Sequence, residues 1–428
     1  FQTSFGPNNS PFDLIGKSGK SNLCINAISD AFRFIKLLVS STIEKPSLGI
    51  KKPTDRDSCK YKRIELVGNL MYDLFREYYT IQLRTIHVEF EKKAHYNQSI
   101  YANNLYALIN ENYKQIFREK IVDKGFKDAF KGNWGAHAHT KKVGVLQDLN
   151  ILSGNSRLSH LRKTNLPLDA TAKVVGPRVL HGTQWGMFDP IDTPDGGNIG
   201  LHKHLTIAAY ITQGYSRNYI IEWLREKVDM KLIEDCSPLQ LSSMTKIFVN
   251  GYWTGVVIEP EELIEKFLLF RRNALIPIYT SISYDNVQNI INIYTDSGRI
   301  CRPIFYKEPG AKKMSFESDT IMDRIKGGKF TWEQLICGFN SRKIDKFHPN
   351  NYKMYNLPEL YENVKEETNP LKLQTFIDNK AIIDYIDTNE SESALIALNK
   401  DALTENKNYT HLEIHESLIF GSITFTTL

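Results

Sequence analysis

The stretch Ile247-Phe248-Val249-Asn250-Gly251-Tyr252-Trp253 decides the fold class. Two β-prone runs flank Asn-Gly, the dipeptide that best tolerates the positive φ values of a tight hairpin turn. A hairpin is expected here. Just beyond it, Pro260-Glu261-Glu262 opens a helical pattern that runs to about Arg272. Proline suits a first helical position and acids suit a helix N-terminus. Ile291–Thr295, Asp296-Ser297-Gly298 and Ile300–Tyr306 read as a second hairpin, and 381–386 with 393–398 as two more paired strands. Upstream the texture is helical. Val67, Leu70, Met71, Leu74, Phe75 and Tyr78 fall on one face of a long helix. Leu105, Leu108, Ile109, Ile116 and Phe117 mark another within 100–121, and 25–39 has helical spacing. Residues 1–22 read as loop, 41–62 as a connector, and 311–375 give weak signals. The expected class is α+β: several domains of mixed helices and small antiparallel β modules, with no internal repeat.

The 428 residues allow roughly two to four domains. Hydrophobic residues are 41% and charged residues 24%, which excludes a wholly disordered chain, collagen and coiled coil. No apolar run reaches the roughly 18 residues of a membrane span. The five cysteines, at 24, 59, 236, 301 and 337, form no C-x-x-C pair and fit free thiols in a reducing compartment. The chain starts at Phe1 and stops in an apolar stretch at Leu428, so it reads as a piece of a longer polypeptide.

Several motifs tempt and fail. Gly16-Lys17-Ser18-Gly19-Lys20-Ser21 lacks the first glycine of a phosphate loop at the required spacing, and no strand precedes it. His411-Leu412-Glu413-Ile414-His415 places its Glu one position too late for a metalloprotease helix, and no P-C-x-x-C follows as in zinc deaminases. Hydrogen-bonded structural histidines are expected instead. His137/His139 and His202/His204 lack a third ligand. Asp189, Asp192 and Asp195 have spacing that suits Mg²⁺, or a tight turn in which acids cap amides and Gly196-Gly197 take positive φ.

The net charge is +5, but it is unevenly placed. Residues 124–178 hold ten Lys/Arg against three acids, a balance of +7 that leaves −2 for the rest. The same stretch has many Gly, Pro, His and Asn and no long periodic run. Cations beside backbone amides free of helix or sheet suit phosphate binding. A solvated loop face would have the same composition.

The residues of this segment carry a resemblance. Ser159-His160-Leu161-Arg162-Lys163-Thr164-Asn165, Gly176-Pro177-Arg178-Val179-Leu180-His181-Gly182-Thr183-Gln184-Trp185-Gly186 and Asp192-Thr193-Pro194-Asp195-Gly196-Gly197 are similar, in order and spacing, to the fork region of one family. That family is the second-largest, β-like subunit of multi-subunit DNA-directed RNA polymerases. Lys131-Gly132-Asn133-Trp134-Gly135, the 248–255 hairpin, Thr295–Pro303, Tyr385-Ile386-Asp387 and Thr410–His415 resemble further family motifs, so the likeness covers about 55–422. The Asp-for-Glu exchanges at 192 and 195 and the Lys/Asn/Ile/Tyr-rich composition resemble the subunits of large DNA viruses.

The resemblance implies an order of modules: the end of a lobe (1–55), half of a protrusion (56–120), a fork (121–210), two external regions (211–308 and 309–410) and the start of a hybrid-binding region (411–428). It implies a wall of a transcribing active site, inert alone, with Mg²⁺ held by the largest subunit and none by this chain. The implied partners are that largest subunit and other polymerase subunits, the DNA template, the RNA–DNA hybrid and nucleoside triphosphates. Arg178 and Asp195 would sit near the nucleotide, with Arg178 offering its fork to a phosphate or pairing with Asp195. Lys131, His160, Arg162, Lys163, Asn165 and Lys173 would face nucleic acid. The loop 168–173 departs from the family tip: Asp169-Ala170-Thr171-Ala172 lacks an Arg and both glycines. Trp134, Trp185 and Trp253 read as core packing. The location would be intracellular and reducing: the nucleus if cellular and eukaryotic, host cytoplasm or virion if viral. The alternative is a truncated, non-catalytic nucleic-acid-binding or assembly module of a transcription complex.

Overall fold

Asn250 and Gly251 have φ of 51° and 79°, the turn that the Asn-Gly pair predicts. The computed structural model describes residues 55–428 apart from 97–103, 118–119, 169, 309–312, 318–325, 329–330, 339–376, 406–407 and 428. The expected loop at 1–22, the phosphate-loop look-alike, the helix at 25–39 and most of 311–375 lie outside the described residues.

Among the described residues the first long element is a helix, α1 (Val67–Tyr96), followed by α2 (Leu105–Ile116) and α3 (Ile121–Ala129). Leu70, Leu74 and Tyr78, spaced i, i+4, i+8, pack against Phe126, Ala129 and Trp134. One helix turn row is therefore covered. Gly125 permits this approach: a Cβ there would lie 2.6 Å from the Tyr78 ring. Farther along, Ile86, Phe90 and Ala94 meet Leu108 and Ile116 of α2. The wider apolar face expected of α1 is not covered: Val67, Met71 and Phe75 are exposed, as are Leu105, Ile109 and Phe117. Two short neighbours are too narrow to bury a 30-residue helix.

After α4 (Gly154–Leu161), strands β1 (Lys163–Asn165) and β2 (His202–His204) pair antiparallel, and β3 (Tyr210–Ile211) follows. The first β module then begins. Helix α5 (Asn218–Lys227) leads to β4 (Lys231–Leu232), β5 (Thr245–Val249) and β6 (Tyr252–Val257). Next come α6 (Pro260–Arg272), β7 (Ser281–Asp285) and β8 (Ile290–Tyr294). The sheet order is β4-β6-β5-β8-β7, with β5 and β8 parallel. Ile247, Val249, Ile291 and Ile293 pack under Trp223 and Leu224 of α5 and Leu263, Phe267 and Phe270 of α6.

A second module is built on β9 (Ile300–Tyr306), with α7 (Trp332–Cys337), β10 (Ile383–Asp387), α8 (Thr388–Ser393), β11 (Ile396–Ala397) and β12 (His411–Leu412). Its order is β10-β9-β12-β11, and β3 also pairs with β9. The architecture is thus α+β, with helices and small, mostly antiparallel sheets.

Two expected pairings are corrected. β8 and β9 are strands but not a hairpin, because they belong to different sheets. The link between them is fixed by tertiary contacts. Asn250 donates to Thr295 Oγ1 (2.8 Å), and Gly298 O accepts from Ile64 N–H (2.8 Å). β10 and β11 share a sheet but are separated by β9 and β12, so they do not pair either.

Between the modules lies a buried ionic core. Arg271 Nη1 contacts Glu390 (2.5 Å), Arg272 Nη2 contacts Asp384 (2.8 Å), and Arg299 Nη1 contacts Asp387 (3.0 Å). Arg302 Nη1 grips Glu413 (2.6 Å). All eight residues are buried. Each carries its opposite charge at contact distance, as a water-free site requires. Arg299, Arg302, Asp387 and Glu413 belong to stretches that carry the family resemblance, whereas Arg271 and Arg272 end the helix read from Pro260 onward.

Candidate nucleic-acid interface

Residues 131–211 position their side chains with little regular structure. Ser153 starts α4 through a capping box: its Oγ accepts from Ser156 N–H (3.0 Å), and Ser156 Oγ accepts from Ser153 N–H (2.9 Å). Beyond β1 the chain makes one-turn helices at Gly176–Arg178, Gly182–Gln184 and Gly196–Asn198.

Arg178 organises these turns. Its guanidinium donates to Gly197 O (2.7 Å) and Ile199 O (2.9 Å) through Nη1. Through Nη2 it donates to Ala170 O and Ala172 O (3.1 Å each), and through Nε to Val174 O (3.1 Å). The whole guanidinium fork is spent on backbone carbonyls of two loops. The expected pairing with Asp195 is therefore absent, and no N–H is left for a phosphate. Gly200, at φ 69°, lets the chain pass Arg178, since a Cβ there would lie 2.2 Å from Arg178 O.

Arg162 likewise turns inward, with Nη2 donating to Thr206 O (2.6 Å) and Ala209 O (3.1 Å). Burial pulls its pKa down. His160 accepts from Asn150 N–H (3.2 Å) at Nδ1 and meets Gln147 Oε1 at Nε2 (3.0 Å), which fixes the 147–150 loop. Lys142 pairs with Glu65 (2.6 Å) and Lys127 with Asp123 (2.9 Å). Lys131, Asn165 and Lys173 remain exposed and Lys163 half-exposed. Arg157 and Lys141, not singled out in the sequence, are also exposed in this segment. Sequence position alone does not separate an arginine that binds carbonyls from a lysine that faces solvent.

The acids do not converge on a cation. Asp189 is buried and saturated: Oδ1 accepts from Ile191 N–H (2.9 Å) and Asp192 N–H (3.3 Å). Its Oδ2 accepts from Gly421 N–H and Thr424 Oγ1–H (2.6 Å each). Asp192 lies 3.3 Å from His204 Nδ1, which also meets Ser159 Oγ (2.8 Å). Burial raises the Asp192 pKa and lowers that of His204, each opposed by the other's charge. Asp195 is exposed, and its side chain caps no amide. Among the described residues no three His, Cys, Asp or Glu are grouped to hold a metal. The turn reading fits Asp189, and a Mg²⁺ site does not fit these residues. At the far end, His411 Nδ1 meets Thr410 Oγ1 (2.8 Å), and His415 Nδ1 accepts from Ser417 N–H (3.1 Å). Both are hydrogen-bonded within the fold.

Of the tryptophans, Trp134 is buried and Trp253 half-buried. Trp185 is 50% exposed and so is not core packing. Its neighbours Gly182 and Gly186 bracket a one-turn helix too small to cover an indole.

Residues 145–211 match the family described as RNA polymerase Rpb2, domain 3, and residues 247–308 match RNA polymerase Rpb2, domain 4. The chain is 31% identical over 386 residues to DNA-directed RNA polymerase II subunit RPB2 of Encephalitozoon cuniculi. It is 30% identical over 388 residues to DNA-directed RNA polymerase II subunit 2 of Arabidopsis thaliana. It is 26% identical over 388 residues to DNA-directed RNA polymerase subunit Rpo2 of Sulfolobus acidocaldarius. Each alignment covers 88% of this chain and 28–29% of the relative, so the chain spans about three tenths of their length. The chain is homologous to one stretch of the second-largest subunit of DNA-directed RNA polymerases.

Proposed function

We propose that the chain forms one wall of the active-site cleft in a DNA-directed RNA polymerase and supports templated RNA synthesis only within that complex. The observation that carries this is the basic, loop-built surface at 131–211, lying largely within the domain 3 match. Lys131, Lys163, Asn165 and Lys173 contact the template or the RNA–DNA hybrid. Arg162, Arg178 and His160 act through the loops they hold, and Asp195 lies beside the nucleotide. The module order inferred from the sequence, from lobe end to hybrid-binding start, belongs to the same reading.

The partners are the largest subunit, which supplies the Mg²⁺, together with other polymerase subunits, nucleic acid and nucleoside triphosphates. Exposed apolar side chains on this segment, Val143 at 92% and Leu152 at 89%, support burial against such partners. Free cysteines at 59, 236, 301 and 337 support a reducing, intracellular setting, and no described helix is long and apolar enough to cross a membrane. Within that setting the viral reading places the complex in host cytoplasm or virion, and the cellular eukaryotic one in the nucleus.

The test is purification of the tagged chain from its own cells, followed by an assay of templated nucleotide incorporation. Copurifying polymerase subunits and activity are expected, with none from the chain alone. Isolation without subunits or activity, but with salt-sensitive DNA binding, favours the non-catalytic module instead.

A further inference from the structure

The outer face of the first β module carries chemistry that the reading above does not use. Its inner face is sealed by α5 and α6. The outer face is made by the alternate residues, and Lys246, Phe248, Ser283 and Asn292 are each half-exposed there. A register shift between β5 and β6 at Ile247/Phe248 flips the pleat, so Trp253 stands opposite Phe248 on this outer side. The two rings stack at 6.2 Å with 20° between planes.

Register extends this row across the sheet: Trp253, Phe248, Asn292, Ser283. One side-chain step along the strands, about 7 Å away, runs a second row. It holds Lys231 and Lys246 on either side of Val256. Leu232 packs inward, so Lys231 points outward. Lys246 Nζ lies 5.8 Å from the Trp253 ring centroid. The acid on this face, Asp285, is turned to the amides of Val287 and Gln288.

We propose that this face binds single-stranded RNA. Stacked, half-exposed aromatic rings on a sheet face offer a platform for unstacked bases, and two ammonium groups flanking the buried Val256 complement the phosphates. A duplex has no free base faces to offer. Asn292 and Ser283 continue the aromatic row with an amide and a hydroxyl, groups that can bond a ribose 2′-hydroxyl and have no such partner in DNA. The platform is separate from the loop surface at 131–211.

The test is fluorescence anisotropy of the whole chain with a labelled twelve-nucleotide oligouridine, the matching oligothymidine and a twelve-base-pair RNA duplex. The oligouridine is expected to bind most tightly. Trp253→Leu should weaken it about tenfold or more. Lys231→Ala with Lys246→Ala, changes at an exposed and a half-exposed side chain outside the core, should lower the slope of log K against log salt by about 1.4. All these comparisons are made in a chain that already carries Lys131→Ala and Lys173→Ala, so that binding lost at Trp253 or at the lysine pair is not binding by the loop surface. Absent binding, duplex or DNA bound as well as RNA, or affinity that survives both the Trp253 and the double lysine change would each overturn the proposal.

Discussion

Replacing Arg178 by alanine removes the clamp between the 170–174 and 197–199 loops. The parent makes five N–H···O=C bonds of 2.7–3.1 Å there. A buried hydrogen bond contributes about 0.5–1.5 kcal/mol net. Arg178 is only half-buried, so water replaces part of each bond and the low end applies. At about 0.5 kcal/mol each the clamp stabilises the loops by roughly 2–3 kcal/mol, which corresponds to a rise of roughly 30- to 150-fold in the open population. Hydrogen exchange reads this directly. The amides of Gly200, which donates to Thr193 Oγ1 (2.8 Å), and Ile199, which donates to Gly196 O (3.2 Å), should exchange faster by that factor. Amides of Ile247 and Ile291 in the first sheet should not change. Arg178→Lys should recover part of the protection, since an ammonium has three donors but lacks the planar fork. Unchanged exchange at 199–200 in Arg178→Ala would refute the clamp. Equal acceleration everywhere would show global destabilisation instead.

Arg302→Met alone strands the Glu413 carboxylate in the core and should cost about 3–5 kcal/mol in urea unfolding. Adding Glu413→Leu should restore most of that loss, and a purely additive double variant would argue against a coupled pair. Burial pushes the Glu390 carboxyl from its ordinary 4.5 up to about 7, against the pull of Arg271. Its folded value lies above its unfolded one. Its effect on stability is therefore most favourable below about 4.5, falls as pH rises to about 7, and is level above. Glu390→Gln should flatten that part of the stability–pH curve, and a curve parallel to the parent's sinks the assignment.

Legibility followed the range of the interactions. Asn250-Gly251 and Pro260-Glu261-Glu262 declare their structure because the determinant is local: two positive φ values, and a helix start that needs no amide from proline. Asp296-Ser297-Gly298 has the same local look as a hairpin turn, yet contacts to Asn250 and Ile64 carry the chain into another sheet. The face of α1 was readable in part, since Leu74 is buried and Met71 is not, and only the neighbours decide which row is covered. At the candidate interface the charge concentration at 124–178 was visible. The division of labour among its cations was not. The partners of Arg162 and Arg178 are carbonyl oxygens, which every residue has and no sequence motif displays.

The carboxylate of Asp189 joins Gly421 and Thr424, 232 and 235 positions downstream. A contact of such sequence separation forms late, because the intervening chain must first be ordered. During synthesis at roughly 5–20 residues per second, the 189–200 turns wait roughly ten to fifty seconds for their anchor to be made. Throughout that interval Asp189 lacks the Gly421 and Thr424 donors that saturate its Oδ2 in the folded chain. The 189–200 turns are thus completed only after residues 421–424 emerge, and the last part of the chain to be made fixes a loop made near its middle.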